Sequence, residues 1–394
     1  MKIVKVDAFV CRSKLKKPMW SLQPWREGRP RVAGFIESVI VKISSSDGLA
    51  GYGQTVGVRF QDSRIRSIGA ECKRLVEKIV YPKIKGEKYC NNEVIWRMLH
   101  EALKDEPYGR TVLSGVDTAL WDLKGKALGL PVYALLGGNY RKAVRLYASK
   151  VPGITDVDND EEINTLVERL KHLVKEGYTA FKLGGGLGIE ADKRTVEIAR
   201  ETVGANCKIM LDTGCVYGLK EAFELGKHLQ DLGVEWFETP LPPGDIDGYA
   251  ELARNLDVKI ATDAHPEPSQ ILNLLRKDGI DVVLSDVTAG GGITVSKKIA
   301  DLTELFNVEF STHAGWHISA IGYAASAHLS SSVPHLNFQE GRIHFADNPL
   351  GNPILKEPLR VENGCLWVPE GDGLGIKVDE DSLLQYVVEH SEVS

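Results

Sequence analysis

At residues 308–317 the sequence reads VEFSTHAGWH. Apolar and polar side chains alternate as they do along a half-buried strand, and the run stops on a histidine. Seven other short runs share that syntax: VRLYAS, TAFKL, KIMLD, VEWFE, VKIATD, DVVLSD and HLNFQE. Six of these seven carry Lys, Asp or Glu at or next to their last position. Between them lie helical stretches such as EEINTLVERLKHLVKEG and ADKRTVEIARETVG. Strands alternating with helices in this way build parallel βα units, and eight units over about two hundred residues match a (β/α)8 barrel. A doubly wound open sheet is the competitor. It ordinarily stops at fewer strands, and the glycine run at Gly184–Gly188 lacks the dinucleotide-binding spacing.

The rest of the chain is consistent with a large enzyme core. Its 394 residues are 43% hydrophobic and carry a net charge of −6, which gives no electrostatic case for nucleic acid as a partner. No apolar run approaches the roughly 20 residues of a membrane span, and the first residues lack the apolar core of a signal peptide. The six cysteines, at 11, 72, 90, 207, 215 and 365, form no C-x-x-C pair. A reducing cytoplasm is therefore the expected compartment. Ile3–Cys11 and Ser38–Ser44 have strand character, and DGLAGYGQ supplies turn residues before a further short strand. The Trp-, Pro- and Arg-rich stretch KKPMWSLQPWREGRPRVAG between the first two strands reads as a covering loop. From about Asp62 to Leu128 the pattern is helical, with Val112, Val116, Ala119, Leu120 and Leu123 on one face and Gly129 and Pro131 as the stop.

In a barrel the C-terminal strand ends form the catalytic face. Those ends hold Lys182, Asp212, Glu238, Asp263, Asp286, His313 and Glu340. A strand-final Asp can be a simple helix N-cap. Five carboxylates converging on one mouth, however, repel one another unless a cation neutralises them. Asp212, Glu238 and Asp263 end three successive strands, and an all-oxygen set suits Mg2+ better than zinc. Asp286 and His313 end neighbouring strands, where a carboxylate fixes the tautomer of an imidazole and raises its pKa. The histidine that ends VEFSTH is thus read as a general base facing a metal.

These residues resemble the enolase superfamily, in its mandelate racemase-like subgroup, along essentially the whole chain. The resemblance is carried by ESVIVKISSSDGLAGYGQ, SGVDTALWDLKGKALGLPVYALLGG, IMLDTG, WFETPLPP, IATD, VLSDVTAGGGIT, STH and FQE. It implies an α+β capping domain over residues 1–130, a modified (β/α)8 TIM barrel over 131–355, and a C-terminal segment, 356–394, that returns to the cap. Within the subgroup the chain is most similar to L-rhamnonate dehydratase and other acid-sugar dehydratases, through PMW and LPP. The resemblance implies Mg2+ held by Asp212, Glu238 and Asp263, a base pair of Asp286 and His313, and an eighth-strand carboxylate at Glu340. It also implies a small-molecule sugar-acid substrate and a homo-oligomer.

Two departures from the family pattern narrow the reaction. The usual Lys-x-Lys reads Lys182-Leu183-Gly184, and the third ligand strand ends in Thr262-Asp263 in place of Gly-Glu. Racemisation needs an acid or base on each face of the α-carbon, and Gly184 provides none. Elimination needs one group to take the proton, so the expected reaction is loss of water from a sugar acid to give a 2-keto-3-deoxy acid. His313 is the expected base, Asp286 its orienter, and Lys182 and Glu340 positioning or electrostatic groups. Trp20, Trp25, Arg26, Arg31 and His265 are candidates for substrate contact, with His317 a further one. An epimerase, racemase or cycloisomerase is the alternative, with Tyr217 or His265 as its second base. A silent sugar-acid-binding homologue is the non-enzymatic alternative.

Overall fold

A computed structural model describes residues 2–21, 31–61, 64–262, 267–315, 318–342 and 348–394. Eight parallel strands close a barrel: β6 (Ala143–Val151), β7 (Ala180–Gly184), β8 (Lys208–Asp212), β9 (Trp236–Glu238), β10 (Lys259–Ala261), β11 (Val282–Ser285), β12 (Glu309–Thr312) and β13 (Leu336–Arg342). β13 pairs back onto β6, Glu340 opposite Tyr147. Each of the eight runs read as strands forms one staff of this barrel, and a helix follows each of the first seven. The barrel interior is filled by Tyr147, Ala180, Met210, Trp236, Ala261, Val282, Leu284 and Phe338. No helix among the described residues is long and apolar enough to cross a membrane.

The cap is built on an antiparallel sheet of β1 (Ile3–Ser21), β2 (Arg31–Ser45) and β3 (Ala50–Val56), and a separate hairpin joins β4 (Val58–Gln61) to β5 (Arg64–Ser67). Two expectations are corrected here. The stretch read as a covering loop extends both arms of the first hairpin, so that Met19 pairs with Ala33 and Ser21 with Arg31. A register shift between Lys14 and Met19 precedes those outer pairs. Such pairing depends on the partner strand, which local composition cannot reveal. The helical pattern also begins later than Asp62, because Arg64–Ser67 belongs to the hairpin.

The helix Gly109–Leu128 is the centre of the cap and ends, as its sequence requires, at Gly129 with φ 65°. Val112, Val116, Ala119, Leu120 and Leu123 join the cap core. Ser114, Asp117 and Trp121 are buried as well, so the helix is enclosed on more faces than its apolar stripe suggested. Its approach to β3 depends on glycine: a Cβ at Gly53 would lie 1.9 Å from the Gly115 carbonyl oxygen and 2.7 Å from the Ala119 nitrogen. Asp122 then joins three segments, accepting the backbone N–H groups of Tyr52 and Leu374, each at 2.8 Å, and pairing with Lys126 at 2.7 Å. Beyond the barrel, β14 (Val361–Glu362) and β15 (Cys365–Trp367) extend the sheet from the N-terminal end of β6. The final strand, β16 (Val387–Val393), pairs with β1 in the cap sheet.

Gly53→Ala forces the helix off the sheet and is expected to cost about 1–3 kcal/mol, as overpacking does. Gly34, whose Cβ would meet nothing within 4 Å, is the control, and Gly34→Ala is expected to stay within about 0.5 kcal/mol. Urea midpoints of the two variants measure the difference.

Candidate active site

The side-chain period of a strand is two, and the barrel uses it to set chemistry directly above its core. Ala180 is followed at the second position by Lys182, Met210 by Asp212, Trp236 by Glu238, Leu284 by Asp286 and Phe338 by Glu340. His313 stands two residues beyond the buried Ser311. Lys182 and Glu340 differ from the expected pattern in one respect: each lies inside its strand, which runs on for two more residues.

Six of the seven strand-end residues are described, and they come together in a chain of contacts. The His313 Nδ1 donates to Asp286 Oδ2 at 2.9 Å, and its Nε2 lies 3.2 Å from Glu340 Oε2. The other oxygen of Glu340 is 3.9 Å from the Lys182 ammonium. Lys182 in turn donates to Glu238 Oε1 at 2.8 Å and stands 3.8 Å from Asp212 Oδ2. Asp286 is fully buried, Glu238 and Glu340 are 1% exposed, and Lys182 is 5% exposed.

Further groups hold these side chains in place. Thr288 donates to Asp286 Oδ1 from both its backbone nitrogen and its hydroxyl, each at 2.6 Å, and the Gly315 N–H reaches Oδ2 at 3.3 Å. The indole of Trp236 donates to Glu238 Oε2 at 3.0 Å. Asp212 Oδ1 accepts from the Thr239 hydroxyl at 2.9 Å and the Gly214 N–H at 3.1 Å. Thr239 has φ 47°, a left-handed conformation costly for a β-branched residue, so its hydroxyl is aimed by strained backbone. Sequence reading missed Thr239, Thr288 and Trp236. The Asp-Thr-Gly at 212–214 is a turn signal for Gly214, whereas nothing local marks the strain at Thr239.

The electrostatics follow from burial. Removal from water pushes the Glu238 carboxyl up to about 8; Asp212 and Glu340 add to that push, and Lys182 opposes it. Burial would pull Lys182 down, but Glu238 and Glu340 outweigh it and hold the ammonium well above its usual range. His313 is likewise raised: burial works against the imidazolium, while Glu340 and Asp286 favour it.

Asp263 and His265 lie outside the described residues, as do Trp25, Arg26 and His317. Of Trp20 and Arg31 only the backbone is described, paired with Val32 and Ser21. Among the described residues no group of three His, Cys, Asp or Glu side chains is arranged to hold a metal. Asp212 and Glu238 are nonetheless adjacent oxygen donors, one of them a buried carboxyl whose ionisation requires a nearby cation, and that chemistry fits a hard divalent ion. Tyr217 is not free to act as a second base. Its hydroxyl donates to Asp192 at 2.7 Å and accepts from the Gly188 N–H, and burial and Asp192 push its pKa upward.

Comparison with known proteins places this arrangement. Residues 15–137 match the mandelate racemase / muconate lactonizing enzyme N-terminal domain, and residues 165–382 match the enolase C-terminal domain-like family. The chain is 29% identical to a D-galactarolactone cycloisomerase from Agrobacterium fabrum over 98% of this chain and 99% of that protein. It is 31% identical to an arabinonate dehydratase from Saccharolobus solfataricus, over 89% and 91% of the two chains. A racemase from Streptomyces coelicolor, solved with bound magnesium, superposes with a TM-score of 0.82 at 25% identity and covers 98% of this chain and 100% of its own. One of the two family matches alone takes in more than half of the sequence, and the chain belongs to the enolase superfamily, in its mandelate racemase-like subgroup.

Proposed function

We propose that the protein is a Mg2+-dependent dehydratase of a sugar acid, removing the proton α to the carboxylate and expelling the 3-hydroxyl as water. The observation that carries this reading is an oriented imidazole with a single partner cation across the mouth. Asp286 holds the Nδ1 of His313, which turns Nε2 to the opposite side, 3.2 Å from Glu340 Oε2. On the β7 side the only titratable group at the mouth among the described residues is Lys182, kept protonated by Glu238 and Glu340. An ammonium held in that state is a poor proton acceptor, which favours a reaction with one base over a racemisation with two.

Asp212 and Glu238, with Asp263 from the next unit in sequence, would hold Mg2+. When bound, the ion supplies Lewis acidity at the substrate carboxylate, as in enolase-superfamily sites generally. His313 takes the α proton, which is very weakly acidic; the Lys182 ammonium can stabilise the negative charge that develops on the carboxylate oxygens, and Glu340, in contact with both Lys182 and His313, positions them. The imidazolium of His313 then protonates the departing hydroxyl, and the enol product relaxes to a 2-keto-3-deoxy acid. The arabinonate dehydratase relative supports this choice. The galactarolactone cycloisomerase supports a second reading, in which the same base acts on a lactone and no keto acid forms.

A screen of mono- and diacid sugars, with Mg2+ or with chelator, is expected to yield a keto acid only when the metal is present. His313→Asn should lower kcat by about 10²–10⁴-fold, the usual worth of a general base. Lactone isomerisation without keto acid would replace the dehydratase with the cycloisomerase. The pH profile offers a second check. Because the folded pKa of His313 is raised above 6.5, the imidazole is protonated and inactive below it, so kcat/KM should climb with pH along an acid limb lying above 6.5. Asp286→Asn removes one of the charges that favours the imidazolium, and the limb should move to lower pH as the rate falls.

A further inference from the structure

The run Ala289–Gly292 begins three residues after Asp286 and contains three consecutive glycines, the least self-determined backbone the chain could place beside a catalytic carboxylate. Gly291 has φ 103° and Gly292 φ 93°, both in the region closed to ordinary side chains. The turn is tied inward at one point, where the Gly290 N–H donates to the Asp286 carbonyl at 2.7 Å. The Ala289 N–H also reaches that carbonyl, at 3.4 Å, and the side chains that bond the turn in the described hydrogen-bond network come from the cap. Trp96 Nε1 donates to the Gly291 carbonyl at 2.8 Å, and Arg110 Nε to the Gly290 carbonyl at 3.0 Å. The Gly291 N–H donates to Ser114 Oγ at 2.8 Å.

Three residues further along each segment, Asp117 receives the Thr294 N–H at 2.8 Å and the Thr294 hydroxyl at 2.6 Å. The barrel helix Gly292–Leu305 has no side-chain cap of its own, since Gly291 stands at its N-cap position. Asp117 therefore does the work of an N-cap from another domain, satisfying an otherwise unpaired N–H of the first turn. The approach is close enough that a Cβ at Gly292 would lie 2.4 Å from Asp117 Oδ2. This explains two motifs that the reaction itself leaves unused, GGGIT after Asp286 and SGVDTALW in the cap.

We propose that Ser114 and Asp117, on the cap helix Gly109–Leu128, are positioning residues for the Asp286–His313 pair, acting through the glycine turn Gly290–Gly292. The proposal rests on the role given above to that pair as the base. Neither residue touches the reacting atoms. They fix the turn, the turn fixes the Asp286 peptide, and Asp286 fixes the ring of His313. A loosened turn lets the carboxylate drift from Nδ1, and a displacement of about 1 Å in such a unit costs on the order of 100-fold in rate.

The test compares Ser114→Ala and Asp117→Asn with wild type. The charged groups facing the imidazole are Asp286, Glu340 and Lys182, and only the first is reached through the turn. The first readout is the titration of the His313 ring carbon resonance in the substrate-free protein, identified by its loss in His313→Asn. Its midpoint is expected to fall by about half a unit or more in Asp117→Asn, as the favourable carboxylate withdraws. The second readout is steady-state kinetics, with kcat expected to fall about 10–100-fold and KM to stay within about threefold. Folded variants with a lowered Tm but an unchanged His313 midpoint and an unchanged kcat–pH profile would overturn the proposal, leaving these residues as interdomain fasteners alone. If Asp117→Asn does not fold, Ser114→Ala, which removes a single hydrogen bond, decides by the same readouts. The titration needs no substrate. A wild-type protein inactive on every sugar acid would therefore refute the proposed reaction while the resonance still reports on the positioning.

Discussion

Three carboxylates buried to 1% exposure or less, Glu238, Glu340 and Asp286, share one barrel mouth with a buried lysine. No part of that mouth is stable alone. An isolated carboxylate in such a place would take up a proton, and an isolated ammonium would lose one. The cost is offset along a chain of contacts in which acidic and basic groups alternate: Asp286, His313, Glu340, Lys182, Glu238. Breaking a buried pair by deleting one partner typically costs about 3–5 kcal/mol, so the constellation is fixed by mutual necessity. Glu238 is the least comfortable member, pushed up to about 8 even with Lys182 beside it. A doubly charged cation at Asp212 and Glu238 would relieve that discomfort, which is why the same residues that are costly by themselves look suited to a metal.

The cap contributes to this mouth through backbone as well as through whatever it lays over the substrate. Gln54, on β3, accepts from both the backbone N–H and the hydroxyl of Ser319, each at 2.7 Å, where the helix Ala320–Ser331 begins. Asp117 does the equivalent for the helix Gly292–Leu305. These two helices follow the strands that carry Asp286 and His313. The two barrel units that carry Asp286 and His313 thus both have helices capped from outside the barrel. Burial of the cap helix on nearly every side is the packing counterpart of this arrangement.

Much of the architecture was legible in the sequence because it is periodic. Seven of eight short runs end at or next to an ionisable residue, which reads as a barrel with a charged rim, and Lys182, Asp212, Glu238, Asp286, His313 and Glu340 do meet there. What escaped was nonlocal. The outer pairs of the first two strands depend on a partner strand, and Thr239, with its strained φ, is tied to the turn at 213–215 more than twenty residues earlier. The glycines after Asp286 carry no local sign of what holds them. Their rigidity comes from a helix about 170–180 residues away in sequence, a separation over which pattern reading has no purchase.

The position of β16 beside β1 has a consequence for how the molecule assembles. Val6 and Val393 are neighbours in one sheet, with the entire barrel threaded between them. The logarithmic growth of loop entropy makes so long a closure affordable thermodynamically, but a contact of that sequence separation forms late. The βα units of the barrel are local and can form early, bringing the chain ends within reach of each other. The cap sheet is then the last element to be completed, so the order of folding is set by topology: the barrel builds the scaffold on which its own lid can close.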